Sequence, residues 1–308
     1  GAGRALVVEA DESDGTVILY EPDVGVITNI EYDHMEHFRD EETLVGCFQM
    51  FADGARRRIV YCADDARAAA VCGKNPKGFS YGLSAQADLR RTKIEETSSR
   101  VSAQVFLKGV ELGTLSLPVP GRHNLLNALG ACAAAMELGL SFGQVCAGLA
   151  TFTHVRRRFE KVVDRKDLLV ISDYAHHPTE IQALVRTALQ CGGRRVFGVF
   201  QPHRYTRTLA LGKAFPPAFA GLDELVLVPV YEASESPLEG GTSEDLFRLF
   251  QSFGQVPTRY ISSLDDAWRY VKTKVGEGDV LLVIGAGDVE KIAGWARDEY
   301  ATRKNGNT

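Results

Sequence analysis

LLVISDYAHHPTEIQALVRTALQ, residues 168–190, changes periodicity partway along. Leu168 to Ala175 is a nearly continuous apolar run, the pattern of a strand covered on both faces. From Pro178 onward Ile181, Leu184, Val185 and Ala188 recur at spacings of three and four, which predicts an amphipathic helix with proline in its first turn. A buried strand feeding straight into a helix is the repeating half of a parallel α/β sheet. At the join stand His176 and His177, side by side in a chain with only seven histidines. Ligation, catalysis, substrate clamping and helix capping are all open to them at this point.

Working outward, the same alternation repeats. RRVFGVFQ (194–201), DELVLVPV (223–230) and DVLLVIGAGD (279–288) read as strands. Thr206 to Ala220, Ser243 to Phe253 and Ser262 to Val275 read as helices, the first broken at Pro216-Pro217, and a further helix ends the chain. The second half is therefore expected to be a doubly wound, parallel α/β domain, in which ligands bind beyond the carboxyl ends of the strands. Those ends carry Asp173 to His177, Gln201 to Arg204, Tyr231-Glu232 and Gly285 to Gly287.

The first half has a mixed pattern. ALVVEA (5–10) and VGVITNI (24–30) read as buried parallel strands, Asp40 to Gly54 as a helix, and RRIVYCA (57–63) as another strand. Between 86 and 117 apolar and polar residues alternate around a Lys-Gly turn at 108–109, which predicts an antiparallel hairpin or small β subdomain. GRHNLLNALGACAAAMELG (121–139) and SFGQVCAGLATF (141–152) read as helices. The basic stretch THVRRRFEKV (153–162) marks the expected boundary between domains of residues 1–154 and 155–308.

Composition narrows the function classes. Thirty-five basic and forty acidic residues give a net charge of −5, without the clustered positive charge of a nucleic-acid footprint. No apolar run approaches the length needed to span a bilayer. Six cysteines without a CxxC spacing predict reduced thiols in a cytoplasmic protein.

Several clusters carry possible chemistry, each with a plainer alternative. Glu9, Asp11, Glu12 and Asp14 could border a hard cation or be a solvated acidic turn. His34 and His37 follow Asp33 at a second strand end; the order does not match HExxH. Asn124 and Asn127 share a helix face and could meet an adenine edge, or Asn124 could cap the helix. Arg156 to Arg158 could fork onto phosphate or be a solvated linker. His203, Arg204 and Arg207 would suit a carboxylate or phosphate. Together these groups suggest a cleft between domains for a phosphate-bearing substrate. No GxxxxGK[ST] phosphate loop occurs in the 308 residues.

In order, VVEADESDG, TNIEYDHMEHF, VPGRHNLLNALGA, RRRFEKV, SDYAHHPTEI and VFQPHRYTRT resemble the Mur ligases over nearly the whole chain. The resemblance implies a central ATP-binding domain (a mostly parallel sheet with a small antiparallel part) and then a Rossmann-like carboxyl-terminal domain. It also implies that the family's amino-terminal domain and GTHGKT loop would precede Gly1, and that the chain is an N-terminally truncated fragment, inactive by itself. ATP and Mg²⁺ are the implied cofactors. The motif wording is that of the alanine-adding member, so UDP-N-acetylmuramic acid and L-alanine are the implied substrates, joined through an acyl phosphate. The absence of lysine between Glu36 and Ala55 agrees with that member. A muropeptide-recycling ligase and a non-catalytic binding protein are the alternatives.

Residue by residue, the resemblance assigns Glu9 and His34 to magnesium. His123, Asn124 and Asn127 go to ATP, with Asn127 at the adenine. Arg158 goes to the phosphates, and Asp173 and Tyr174 to the surroundings of the nucleotide and the incoming amine. His176, His203, Arg204 and Arg207 go to the alanine carboxylate and muramoyl group. Glu9, His34, Arg158 and His176 form the implied catalytic set, and His177 is the structural member of the histidine pair.

Overall fold

The computed structural model of the protein describes Gly3 and residues 5–34, 37–153 and 155–301. The chain divides into two compact units: Gly1–Glu96 with Arg100–Pro118 and Arg122–Phe152, and Thr153–Thr308 with Thr97–Ser99 and Val119–Gly121. Met35 and Glu36 of TNIEYDHMEHF and His154 at the expected boundary lie outside the described residues.

The first unit is one six-stranded sheet in simple sequence order. β1 (Val24–Ile27), β2 (Arg58–Cys62), β3 (Gly78–Gly82) and β4 (Leu89–Glu96) run parallel. β4, β5 (Val101–Leu107) and β6 (Val110–Leu117) then form an antiparallel meander. Lys108 and Gly109 both take positive φ, 47° and 88°, as a two-residue hairpin turn matched to strand twist requires. The alternating segment is therefore not a separate subdomain; β4 hydrogen-bonds to β3 and continues the same sheet.

Helix α1 (Glu41–Gly54) starts where the Asp40 carboxylate accepts from Thr43 N–H at 2.8 Å, and it buries Leu44, Cys47, Phe51 and Ala52. α2 (Ala66–Cys72) follows β2. The alanine-rich α3 (Arg122–Glu137) lies close against Tyr81 of β3; a Cβ at Gly130 would stand 2.9 Å from that ring, so glycine permits the approach. α4 (Phe142–Ala150) begins with a Ser141–Gln144 capping box.

The expected first strand does not form. Residues 5–10 form no strand, and Leu6 and Val7 are 88% and 89% exposed. An apolar run is held as a buried strand only when neighbours supply both a hydrogen-bonding edge and cover. Among the described residues nothing does so here. β3 was not expected: GFSYG has neither β-branched residues nor clear alternation, and two parallel neighbours hold it in place.

In the second unit the strand order is β11-β10-β9-β12-β8-β7. β8 (Leu168–Asp173), β9 (Val196–Phe200), β10 (Glu224–Leu227), β11 (Thr258–Tyr260) and β12 (Asp279–Ile284) are parallel. β7 (Glu160–Asp164) is an antiparallel edge. Helices cover both faces, giving one core around Ile181, Phe200, Phe215 and Phe219 and another around Val199, Trp268, Leu281 and Ile292. The doubly wound expectation for this half is met; the short edge strands β7 and β11 went unread because polar residues interrupt them.

α5 (Pro178–Leu189), α8 (Ser243–Phe253), α9 (Leu264–Lys274) and α10 (Glu290–Ala301) fall close to their expected positions. The helix after β9 does not break at its prolines. α6 (Tyr205–Leu211) gives way to a 3₁₀ turn at Gly212–Ala214, and Pro216 and Pro217 sit in the first turn of α7 (Phe215–Ala218). Proline lacks a donor the first turn does not need, so there it starts a helix.

All six cysteines are free, and burial pushes the Cys72 and Cys132 thiols up to about 12, which makes them packing residues. No helix among the described residues is long and apolar enough to cross a membrane.

Candidate functional site

The carboxyl ends of β8, β9 and β10 gather a linked set of polar groups. Asp173 ends β8 and is buried, 8% exposed. One carboxylate oxygen accepts from Phe159 N–H at 2.7 Å and the other from Ala175 N–H at 2.8 Å. Burial, only partly offset by those donors and by Arg158, pushes its pKa up to about 6. Asp173 thus pins the turn that carries the arginines, in which Arg157 and Phe159 hold positive φ values of 56° and 50°.

The three arginines separate by role. Arg157 donates to the carbonyls of Gly285 (2.5 Å) and Gly287 (3.0 Å), lies 3.2 Å from Glu290 and crosses the Tyr174 ring at 4.7 Å. It anchors the turn to the loop after β12. Arg156 is exposed. Arg158 is half exposed, pairs with Glu180 at 3.2 Å and also faces Tyr174. A guanidinium with one partly buried partner at a strand end can turn a fork of donors toward an anion.

The opening histidines also separate. His177 precedes α5 and caps it: its Nδ1 accepts from Thr179 N–H, and Glu180 accepts in return from the His177 N–H, a capping box. His176 points its Nδ1 at the Tyr174 carbonyl, 3.1 Å away, and at Glu180, 3.5 Å away. Its ring lies 5.6 Å from Tyr174 and 5.8 Å from His203. Burial opposes ionisation of Glu180. The positive field of His176 and Arg158 and the N–H groups of His176 and His177 outweigh it and hold the carboxyl below its usual range.

At the end of β9, His203 bridges to Tyr231 after β10 and stacks on its ring at 5.6 Å. Arg207, only 4% exposed, turns back one helical turn to donate to His203 Nδ1 at 2.9 Å. Arg204 precedes α6 with a φ of 68° and lies 3.6 Å from Glu235. The two arginines therefore point to different partners. Gln201 ties this end to the loop after β12 through Asp288 (2.7 Å) and Val289 N–H (2.9 Å).

Of the residues expected in this half, Arg158, Tyr174, His176, His203 and Arg207 are linked through ring contacts, hydrogen bonds and Glu180, whereas Asp173 bonds the backbone N–H groups of Phe159 and Ala175 and Arg204 turns to Glu235. Glu180 and Tyr231 belong to the same set but were not singled out. Glu180 had a readable signal, a carboxylate four residues after His176 on a starting helix; Tyr231 had only its place at a strand end.

The first unit carries the remaining candidates. His34, in a left-handed conformation with φ 56°, donates its backbone N–H to the Asp33 carboxylate at 2.8 Å, and its ring lies 3.5 Å from Glu12. Backbone and side-chain bonds from Ser13, with His34 nearby, hold Asp11 below its usual range despite some burial. Glu9, just before this cluster, is exposed. Among the described residues no group of three or more histidines, cysteines or carboxylates is set to hold a metal ion. The donor set suits a hard cation that arrives with most of its oxygen ligands. α3 starts at Arg122, so Asn124 lies within the first turn and does not cap it; Asn127 is exposed on the same face. His123 stands beside Asn124 in that turn.

Comparison with known proteins bears on both units. Residues 3–135 match the Mur ligase middle domain, and residues 157–287 match the glutamate ligase domain of Mur ligases. The UDP-N-acetylmuramate–L-alanine ligase of Gloeobacter violaceus is 40% identical over 294 residues, 95% of this chain and 63% of the relative. The crystal structure of UDP-N-acetylmuramate-alanine ligase MurC from Thermotoga maritima superposes with a TM-score of 0.78 at 26% identity, over 96% of this chain and 63% of that one. MurF ligase from Thermotoga maritima in complex with ADP shares the fold, with a TM-score of 0.69 at 17% identity over 92% of this chain and 63% of that one. The chain thus spans a little under two thirds of the length of the relatives it matches.

Proposed function

Because the chain belongs to the Mur ligase family, with its middle and glutamate ligase domains in that order, we propose that it serves ATP-dependent joining of L-alanine to UDP-N-acetylmuramic acid in peptidoglycan precursor synthesis. The observation that carries this reading is the convergence of Arg158, His176, His203 and Arg207 around the carboxyl ends of β8 and β9, which flank β12. Such a cluster offers both a guanidinium for phosphoryl oxygen and polar groups for a small amino acid. The likeness to alanine-adding ligases supports the choice of amino acid.

In this reading ATP converts the muramoyl carboxylate to an acyl phosphate, and the amine of alanine displaces phosphate. Arg158 attracts the phosphoryl charge, exchanging Glu180 for a stronger anion. Tyr174 provides an aromatic wall beside it. Asp173 acts through the backbone, keeping the arginine turn in place, so its part in nucleotide and amine binding is indirect. Arg207 and Arg204 border the carboxylate side. In the first unit Asn124, Asn127 and His123 face the nucleotide base. Glu9 and His34 would hold a magnesium ion, whose charge would offset that of the phosphates. The site of this chemistry is cytoplasmic, where its nucleotide substrates are.

The test is a product assay on a full-length ligase carrying this sequence, with ATP, magnesium, UDP-N-acetylmuramic acid and either L-alanine or a murein tripeptide. Alanine-dependent ADP release with a muramoyl-alanine product is expected. Preference for the tripeptide would assign the recycling activity instead, and ligand binding without ADP release would assign a binding protein.

A further inference from the structure

His176 and His203 have different, fixed hydrogen-bond environments. A guanidinium only donates, so His203 Nδ1, 2.9 Å from Arg207 Nη1, must accept. In the neutral ring the proton then sits on Nε2. A carbonyl only accepts, so His176 Nδ1, 3.1 Å from the Tyr174 oxygen, must donate. Glu180, 3.5 Å from the same nitrogen, favours that proton further. In the neutral ring Nε2 of His176 then carries the lone pair. Two rings 5.8 Å apart thus present opposite characters.

We propose that this pair divides the proton work of amide formation: His176 Nε2 accepts a proton from the incoming amino group, and His203 Nε2–H holds a substrate oxygen. The proposal rests on the ligase reading and adds to it the proton route. An amino acid arrives as an ammonium and has no lone pair to attack with. His176 takes one proton. The freed nitrogen lone pair forms the C–N bond at the acyl phosphate carbon, and the C–O bond to phosphorus breaks with its electron pair on phosphate. A second nitrogen proton leaves as the amide forms and is carried away on hydrogen phosphate. Glu180 is a positioning residue here, fixing the His176 tautomer as a carboxylate fixes the imidazole of a catalytic triad. Arg207, buried and bonded to Nδ1, keeps His203 a donor.

Two measurements decide it. Long-range ¹H–¹⁵N spectra of the 308-residue chain, with ring signals assigned by loss in His176→Asn and His203→Asn, are expected to show Nδ1–H in neutral His176 and Nε2–H in neutral His203. The reverse assignment, or one tautomer for both, would overturn the proposal. In a full-length ligase, turnover is compared between L-alanine and hydroxylamine, a nucleophile already unprotonated near neutral pH. His176→Gln is expected to lower the alanine-to-hydroxylamine ratio by at least about tenfold, in the range of general-base contributions, and His203→Gln to leave the ratio within about threefold. Glu180→Gln should lower the ratio in the same sense as His176→Gln. An unchanged ratio in His176→Gln would sink the acceptor role. No ATP-dependent product from the unsubstituted enzyme with either nucleophile would instead overturn the ligase reading, while the spectra still decide the tautomers.

Discussion

Asp173 shows how a single residue's environment sets its contribution. Its folded pKa of about 6 lies above its ordinary 3.8, so between those values the folded chain binds more protons than the unfolded one. Stability contributed by this carboxyl is therefore present below about pH 4 and lost as pH rises toward 6. Urea denaturation of the protein and of Asp173→Asn across that window should show the stability difference, native minus variant, falling by up to about 3 kcal/mol; a flat or rising difference would contradict the burial argument. His177 makes a gentler test. Replacing the cap by alanine should cost about 1 kcal/mol and by asparagine a few tenths at most, with little effect on ligation. The sequence pointed to the strand end at which all these residues sit, since buried strands feeding helices are written in apolar periodicity. Individual roles were less legible. Nothing in Arg156-Arg157-Arg158 says that the middle residue is a structural anchor, because its partners are carbonyls 128 and 130 residues away. The first turn of α3 likewise had to be seen before capping by Asn124 could be set aside.

Elements were legible where local chemistry alone decides them. The Lys108-Gly109 hairpin could be read directly because only a few residues accept two successive positive φ values. Gly109→Val should cost about 1–2 kcal/mol, measured by urea melts, with the loss confined to the β5–β6 hairpin in hydrogen exchange. Protection lost elsewhere first would show that the turn matters for another reason. The loop after β12 depends on a close approach instead. A methyl at Gly287 would overlap Tyr231 and Gln201, so Gly287→Ala should lower stability by about 1–3 kcal/mol and disturb the His203–Tyr231 stack. Elements defined by their neighbours were hard to read. β3, β7 and β11 are short and weakly patterned and exist through pairing. Residues 5–10 are the converse: a strong strand pattern that no described neighbour completes.

At the scale of the molecule, each unit is a sheet with its own packed core, and in the second unit the candidate site residues collect beyond the strands' carboxyl ends, where the doubly wound plan places ligands. The net charge of −5 is spread widely, and anion-seeking groups are local to the arginine turn and the ends of β8 and β9. Arg158 is the residue proposed to act on phosphoryl oxygen, with Asp173 and Arg157 fixing its turn and Glu180 holding its side chain until the substrate arrives. The most direct measurement is steady-state ligation of L-alanine to UDP-N-acetylmuramic acid by a full-length enzyme carrying Arg158→Ala, compared with the unsubstituted protein at matched folding. Turnover reduced more than about tenfold is the expected result, in keeping with loss of a transition-state charge contact. Turnover within about twofold of the unsubstituted enzyme would contradict the account.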